Sequence, residues 1–164
     1  DHGMVNYYFC DLPRDKTMNS AHKILIADDN QANCELLEAY LVGLNCEIEV
    51  AEDGQATLDR VASFQPDLIL LDVMMPKFSG FEICKKLRSN PATKSIMILM
   101  VTALNELGDI QRAVEVGADD FVSKPVNRVE LLKRVENMLA LKNVTDENER
   151  LRQYIERMEA TRLV

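Results

Sequence analysis

Short, strongly apolar runs alternate along the chain with longer segments in which apolar residues recur every three or four positions. The short runs predict five β-strands, and the longer segments predict five amphipathic helices. The strands are expected at 23–27, 47–51, 68–72, 96–102 and 120–123. The apolar helix positions are Leu37, Tyr40, Leu41 and Leu44; Leu58, Val61 and Ala62; Ile83, Cys84 and Leu87; Leu107, Ile110 and Val114; and Leu132, Val135 and Leu139.

Proline, glycine and charge mark where these helices end and which side faces water. Pro66 prevents the second helix from continuing, and Gly117 is a good C-cap for the fourth. In the third helix the basic residues Lys85, Lys86 and Arg88 fall outside the apolar stripe. We interpret that basic run as a solvated face.

The regular alternation of strand and helix predicts an α/β fold. Each parallel connection needs a crossover, so the helices should cover both faces of a parallel sheet. The uninterrupted aliphatic runs fit strands that are buried on both faces. We assign residues 21–140 to this domain, 1–20 to an N-terminal extension of unknown role, and 141–164 to a helical connector.

Composition narrows the class of protein. With 27 acidic and 19 basic residues the net charge is -8, which disfavours a direct nucleic-acid surface. The four cysteines have no C-x-x-C spacing, so reduced thiols in a cytoplasmic protein are expected. The longest aliphatic and methionine run is too short for a bilayer span, and we therefore predict no membrane segment.

Polar residues stand at the carboxyl ends of the predicted strands. Asp28 and Asp29 follow the first strand, Asp72 ends the third, Thr102 ends the fourth, and Lys124 follows the fifth. Ligands of doubly wound sheets bind at this edge, so these side chains are expected to converge there. Singly, each has an ordinary alternative role, such as a helix cap, a turn residue or a solvated lysine.

Taken together, these residues predict a metal-supported phosphoryl site. Neighbouring carboxylates repel one another unless a cation compensates them, and an oxygen-only set suits Mg²⁺. Asp72 is then the candidate nucleophile that forms an acyl phosphate, with Lys124 neutralising charge on the transferred group. Thr102 is a candidate hydrogen-bond donor to the same group.

Four segments give the chain a recognisable family likeness: "ILIADDN", "PDLILLDVMMPKFSGFE", "ILMVTAL" and "GADDFVSKP". In this order they resemble the receiver domain of two-component response regulators. The resemblance implies a flavodoxin-like, doubly wound sheet with strand order 2-1-3-4-5 and five helices, the last of them extended. It covers the whole region that we expect to fold, from residue 21 to about residue 140.

The resemblance also assigns roles within the acidic site. Asp72 is the implied phosphoacceptor, and Lys124 is implied to pair with the phosphoryl oxygens. Asp29 is expected to bind Mg²⁺ directly and Asp28 largely through water, while Met74 contributes its backbone carbonyl.

A conformational switch is implied as well. Thr102 is its expected hydroxyl, and Phe121 occupies the position of the switch aromatic, where many members have tyrosine. Pro125 is a cis-peptide candidate by the same likeness. The implied partner is a histidine kinase or a phosphotransfer protein, and the protein would be a signalling switch rather than a turnover enzyme.

Two rival functions were weighed against this one. A phosphatase of the haloacid dehalogenase kind also uses an aspartate nucleophile and Mg²⁺, but it needs a second aspartate where this chain has Met74. An interaction module that works without phosphorylation would leave partner binding unchanged in Asp72→Asn. A phosphorylation-activated switch predicts instead that Asp72→Asn abolishes activation.

The last segment has a heptad pattern. One core position contains Leu141, Asn148, Ile155 and Arg162, and the other contains Val144, Leu151 and Met158. This spacing predicts a parallel coiled coil and a homodimer, with Asn148 fixing the register. The alternatives are a single solvent-exposed helix packed on its own domain, or a frayed tail. The segment resembles connectors to cyclic-dinucleotide output domains, so we expect the output domain or downstream protein to lie outside this chain.

Overall fold

The computed structural model describes residues 21–103 and 107–161. The predicted N-terminal extension 1–20 and the heptad position Arg162 lie outside the described residues. The helices and strands are β1 (His22–Ala27), α1 (Gln31–Leu41), β2 (Cys46–Ala51), α2 (Gly54–Phe64), β3 (Leu68–Leu71), α3 (Gly80–Ser89), β4 (Met97–Thr102), α4 (Leu107–Glu115), β5 (Asp120–Ser123), α5 (Arg128–Leu139) and α6 (Glu147–Ala160).

The five strands form one parallel sheet in the order β2-β1-β3-β4-β5, which confirms the predicted α/β fold and strand order. In the register, Ala27 at the end of β1 lies opposite Leu71 at the end of β3. Thr102 at the end of β4 lies opposite Ser123 of β5. The residues that follow these positions therefore share one edge of the sheet.

Two apolar layers enclose the sheet, and alternate residues of β3 supply both of them. Leu68 and Leu70 face the layer that contains α1 and α5, whereas Ile69 and Leu71 face the layer that contains α2 and α3. All four side chains are at most 1% exposed. A strand buried on both faces must be apolar throughout, which explains the run "LILL".

Side-chain caps start five of the helices. In each case an aspartate, asparagine or serine oxygen accepts a hydrogen bond from the backbone N–H three residues later, which satisfies one of the unpaired donors of the first turn. The capping residues are Asn30, Asp53, Ser79, Asn127 and Asp146.

The expectation of five helices with the last one extended is wrong, because the described residues contain six. Helix α5 ends at Leu139, and α6 begins at Glu147 after a cap by Asp146. Leu141 and Tyr154 are buried in the same apolar layer as α5. The final segment is therefore a separate helix packed on its own domain, and it does not continue α5.

Helix α4 also differs from its predicted orientation. Ile110 and Val114 are 38% and 69% exposed, whereas Ala113 is 2% exposed. The small alanine side chain lets α4 lie close to the sheet, and the Arg112 guanidinium stacks 4.5 Å from the ring centroid of Phe81. Among the described helices, none has the length and apolar content that crossing a bilayer requires.

Candidate functional site

Three carboxylates meet where β1 and β3 end. Asp28 and Asp29 follow β1, and Asp72 follows β3, its neighbour in the sheet. One oxygen atom from each carboxylate lies within 4.8 Å of the others. The predicted convergence of these aspartates is therefore present in the structure.

Two of these aspartates are buried, and both oxygens of each carboxylate accept hydrogen bonds. Asp28 and Asp72 are 2% and 5% exposed. The Lys124 Nζ donates hydrogen bonds of 2.8 Å to Oδ2 of each. The second oxygens accept from backbone N–H groups, at 2.8 Å from Asn30 to Asp28 and 3.1 Å from Met74 to Asp72. Pairing of this kind offsets the cost of removing charges from water.

Lys124 is fixed in place by its own backbone. Its N–H donates to the carbonyl of Thr102 at 2.8 Å, so the lysine begins just beyond the paired ends of β4 and β5. Burial by itself would lower the pKa of the ammonium, but the hydrogen bonds that it donates to Asp28 and Asp72 outweigh burial and raise the pKa above its ordinary value. Lys124 is therefore a cation throughout the physiological pH range.

A glycine allows the loop after Asp72 to pack closely on α3. The N–H of Gly80 donates to the carbonyl of Val73 at 2.9 Å. A Cβ at Gly80 would lie only 2.4 Å from the carbonyl oxygen of Asp72. The sequence analysis missed this residue, although a glycine at the first position of a helix was a usable signal.

The remaining predicted residues lie around this cluster. Thr102 is fully buried at the end of β4, and Phe121 packs partly buried against the layer under α2 and α3. The Met74 side chain is exposed next to Asp72. The Lys124–Pro125 peptide bond is cis, as the resemblance implied.

A buried thiol lies behind the site and was not predicted to do so. Cys34 of α1 donates from Sγ to the carbonyl oxygen of Asp28 at 3.4 Å. Burial, together with the charge of Asp28, raises the pKa of this thiol to about 11. It is therefore a neutral hydrogen-bond donor in the wall of the site rather than a nucleophile or a metal ligand.

The donor set fits a hard divalent cation. It consists of carboxylate oxygens alone, and the exposed Asp29 gives the cluster an opening to solvent. Three carboxylates and one ammonium leave two negative charges uncompensated, which is the charge that Mg²⁺ would balance. Oxygen ligands and a small divalent ion match each other in hardness.

The fold and the site together define a class of protein. It is a doubly wound α/β domain that has an acidic pocket at the carboxyl edge of its sheet, with one lysine bridging two buried aspartates. Comparison with known proteins leads to the same class by an independent route.

The family model of the response regulator receiver domain matches residues 24–136. The chain is 44% identical over 125 residues to the response regulator PleD of Caulobacter vibrioides, in an alignment that covers 76% of this chain and 28% of PleD. The signal receiver domain of a signal transduction histidine kinase from Syntrophus aciditrophicus has a TM-score of 0.71 and 31% identity, and the match covers 77% of this chain and 96% of that one. A BeF3-activated DrrB receiver domain has a TM-score of 0.66 and 29% identity, covering 74% and 99%.

The chain belongs to the response regulator receiver domain family of two-component systems. Receiver domains are signalling domains that interact with histidine kinases or phosphotransfer proteins and bind Mg²⁺ in an acidic pocket. The chain spans 28% of the length of PleD, so the activity of that whole protein is not attributed to it.

Proposed function

We propose that this protein is a phosphorylation-activated switch that accepts a phosphoryl group on Asp72 from a histidine kinase or a phosphotransfer protein. One observation supports this above all others: a nearly buried Asp72 lies within an acidic cluster and is hydrogen-bonded to Lys124. Family membership supports the same reaction.

Within the proposed site, Asp29 and Asp72 would hold Mg²⁺ directly, Asp28 would act largely through water, and Met74 would supply its backbone carbonyl. When bound, the ion supplies positive charge against the oxygens of the transferred group. Lys124 supplies the second positive charge from beside Asp72. Both charges favour the transition state because the transferred group is anionic throughout.

In the proposed transfer, a carboxylate oxygen of Asp72 attacks the phosphorus of a phosphohistidine in line with the leaving nitrogen. The new O–P bond forms as the P–N bond breaks, and that electron pair returns to the imidazole nitrogen. The product is an acyl phosphate on Asp72. Attack by water on the same phosphorus would return the aspartate, so the chain undergoes self-phosphorylation and autodephosphorylation rather than turning over a substrate.

The proposed switch uses β4, which pairs with the strand before Asp72, and β5, which pairs with β4. The phosphorylated aspartate has more negative charge and more acceptor oxygens than the carboxylate. Thr102 would donate its hydroxyl to these oxygens, and Phe121 would turn its ring inward in response. This pair would bias the domain between two arrangements.

The rival functions are weaker. Met74 occupies the position where an aspartate phosphatase would need its general acid, and a thioether cannot protonate a leaving group. An interaction module independent of phosphorylation would not require Lys124 to bridge two buried carboxylates, an arrangement whose removal of charge from water is costly.

We further propose that the protein acts in the cytoplasm, where the histidine kinase or the phosphotransfer protein is itself phosphorylated. Homodimerisation through the C-terminal helix stays a prediction, with Leu151 and Ile155 of α6 as its exposed apolar residues. Output would come from a further domain or a downstream protein, and no direct contact with nucleic acid or membrane is part of the function.

Mass spectrometry tests the proposed phosphorylation. After incubation with acetyl phosphate and Mg²⁺, we expect one phosphoryl adduct on the native protein and none on Asp72→Asn. The matched control is Asp59→Asn. Asp59 is an exposed carboxylate of α2 that accepts a hydrogen bond from Gln55 of the same helix. Chelation of Mg²⁺ should suppress the native adduct. An adduct that persists in Asp72→Asn would overturn the assignment.

A further inference from the structure

Helix α6 is attached to the start of β5 by two consecutive carboxylates. The Tyr154 hydroxyl donates to Oδ2 of Asp120, which also accepts from Arg134 Nε of α5 at 3.1 Å. Arg150 Nη2 lies 3.7 Å from Oδ1 of Asp119. Burial, together with the charge of Asp120, raises the pKa of Tyr154 well above its ordinary value, so its hydroxyl stays a donor.

The same helix is also attached to parts of the domain outside β5. Arg150 Nη1 donates to the carbonyl of Ser95, which precedes β4, at 2.8 Å. Asn137 of α5 donates to the Thr161 hydroxyl at 3.1 Å and accepts from Arg157 Nε at 3.2 Å. Helix α6 therefore bridges β5, α5 and the segment that leads into β4.

The other end of β5 leads directly into the phosphorylation site. Asp119 and Asp120 precede Phe121 and Lys124 in one short segment, and β5 is an edge strand that pairs with β4 alone. Lys124 Nζ lies 2.8 Å from Oδ2 of Asp72. A phosphoryl group attached to Asp72 fills space next to the carboxylate, so the ammonium must move to contact the phosphoryl oxygens.

We propose that α6 is a strap whose docking opposes phosphorylation of Asp72. This inference rests on the proposed function. When Lys124 moves, β5 shifts relative to β4 and α5. Because α6 is anchored to β5, to α5 and to the segment before β4, it cannot follow β5 without losing its contacts to Ser95 or Asn137. Hydrogen bonds weaken steeply with distance and angle, so a small shift is sufficient to loosen the helix.

The packing around α6 favours release at low cost. A cleft of about 540 Å³ lies between its first half and the end of α4, lined among others by Val114 and Leu151. Both of these side chains are more than half exposed. The helix is thus attached by a small set of polar anchors and a few buried side chains, which is typical of elements that open locally.

Thermodynamic linkage gives the inference a second, independent consequence. If the phosphorylated arrangement loosens α6, then loosening α6 must favour the phosphorylated arrangement by the same factor. Tyr154→Phe removes the hydroxyl that holds Asp120 and keeps the buried ring. We therefore expect Tyr154→Phe to bind the phosphoryl mimic beryllofluoride, together with Mg²⁺, about fivefold or more tightly than the native chain.

The experiment uses the full chain and two readouts. Amide hydrogen exchange of residues 147–160 is measured with and without saturating beryllofluoride and Mg²⁺, and we expect it to accelerate at least fivefold on binding. The affinity for the mimic is then measured for the native chain, Tyr154→Phe and a second docking variant, Arg150→Met. The control is Arg152→Ala, because Arg152 is exposed and pairs with Glu149 and Glu156 of α6 itself. Its affinity should stay at the native value.

Different negative results distinguish the α6 strap from the proposed phosphorylation of Asp72, on which it rests. If the mimic binds the native chain and not Asp72→Asn, but exchange of α6 and the affinities of the docking variants do not change, the strap is overturned and the phosphoacceptor stands. If the mimic binds both chains equally or neither, the phosphoacceptor itself is wrong and the strap falls with it. Protection of α6 on binding would also overturn the strap, because it requires coupling of the opposite sign.

Discussion

At the scale of single residues, the position of Asp72 depends on the lack of a side chain at Gly80. Gly80 begins α3 directly against the backbone that follows β3, and an added Cβ would lie 2.4 Å from the Asp72 carbonyl oxygen. We expect Gly80→Ala to push the loop or the helix aside and to lower the free energy of unfolding by about 1–3 kcal/mol. Urea denaturation measures this loss, and phosphorylation by acetyl phosphate should slow in parallel because Asp72 is displaced.

Gly43 is the matched control for that substitution. No atom lies within 4 Å of a Cβ built at this position. Gly43→Ala should therefore be neutral or stabilise the protein by about 0.4–1 kcal/mol, through the lower entropy of the unfolded chain. Equal effects at the two glycines would show that the close approach at Gly80 is unimportant.

Single residues also show where sequence reasoning succeeds and where it fails. The gathering of Asp28, Asp29 and Asp72 could be predicted because the topology of a parallel sheet brings strand ends together, whatever the details of packing. Arg88 was expected on a solvated face, yet it donates to the carbonyl of Gly117 and to Asp119, both at 2.8 Å. A long side chain can reach partners on neighbouring segments, and helical spacing does not predict that.

At the scale of elements, the final helix shows the limit of periodicity. A heptad pattern and the apolar stripe of one amphipathic helix differ little over about three heptads, so "LKNVTDENERLRQYIERMEA" is compatible with either. Local chemistry decides between them. Asp146 caps a new helix, and Leu141 is buried in the core of its own domain. The capping residue was visible in the sequence, whereas the buried partners depend on tertiary packing.

Substitutions at two neighbouring residues of α6 can distinguish a helix packed on its own domain from a coiled coil. Tyr154 packs against the domain and is 8% exposed. Ile155, at a predicted heptad core position, is 50% exposed. We expect Tyr154→Ala to lower the free energy of unfolding by about 3 kcal/mol because it leaves a cavity and removes the contact with Asp120. Ile155→Ala should cost less than about 1 kcal/mol. Denaturation by urea at low and high protein concentration compares them, and a larger effect at Ile155 at high concentration would favour the coiled coil instead.

At the scale of the whole molecule, β5 connects two sites that otherwise do not touch. One end presents Lys124 to the acidic cluster, and the other presents Asp119 and Asp120 to α6. An edge strand with a single pairing partner is a suitable element for such a connection, because it can shift without disturbing the central strands. In the proposed strap mechanism, the buried β1 and β3 hold the aspartates while β5 shifts relative to them.

Self-association of the chain is a prediction at this scale, and the net charge of the molecule opposes it. Each chain has a net charge of -8, so two copies repel each other unless an apolar surface and salt compensate. Leu151 is 57% exposed on α6, and release of the helix would add the apolar side chains of Tyr154 and Met158 to that surface. We therefore expect beryllofluoride with Mg²⁺ to promote a dimer through this helix.

Sedimentation velocity measures this dimer at several protein concentrations, at low salt and at about 0.15 M salt, where the Debye length is about 8 Å. The sedimenting mass should rise on addition of the mimic, and more so at the higher salt because the repulsion is screened. Leu151→Asp should keep the chain monomeric by placing a charge within the apolar surface. Val42→Asp is the control, since Val42 is 80% exposed at the end of α1 and should not affect association. A chain that stays monomeric with the mimic at high concentration and both salt levels would rule out the dimer and leave a strap that signals within one chain.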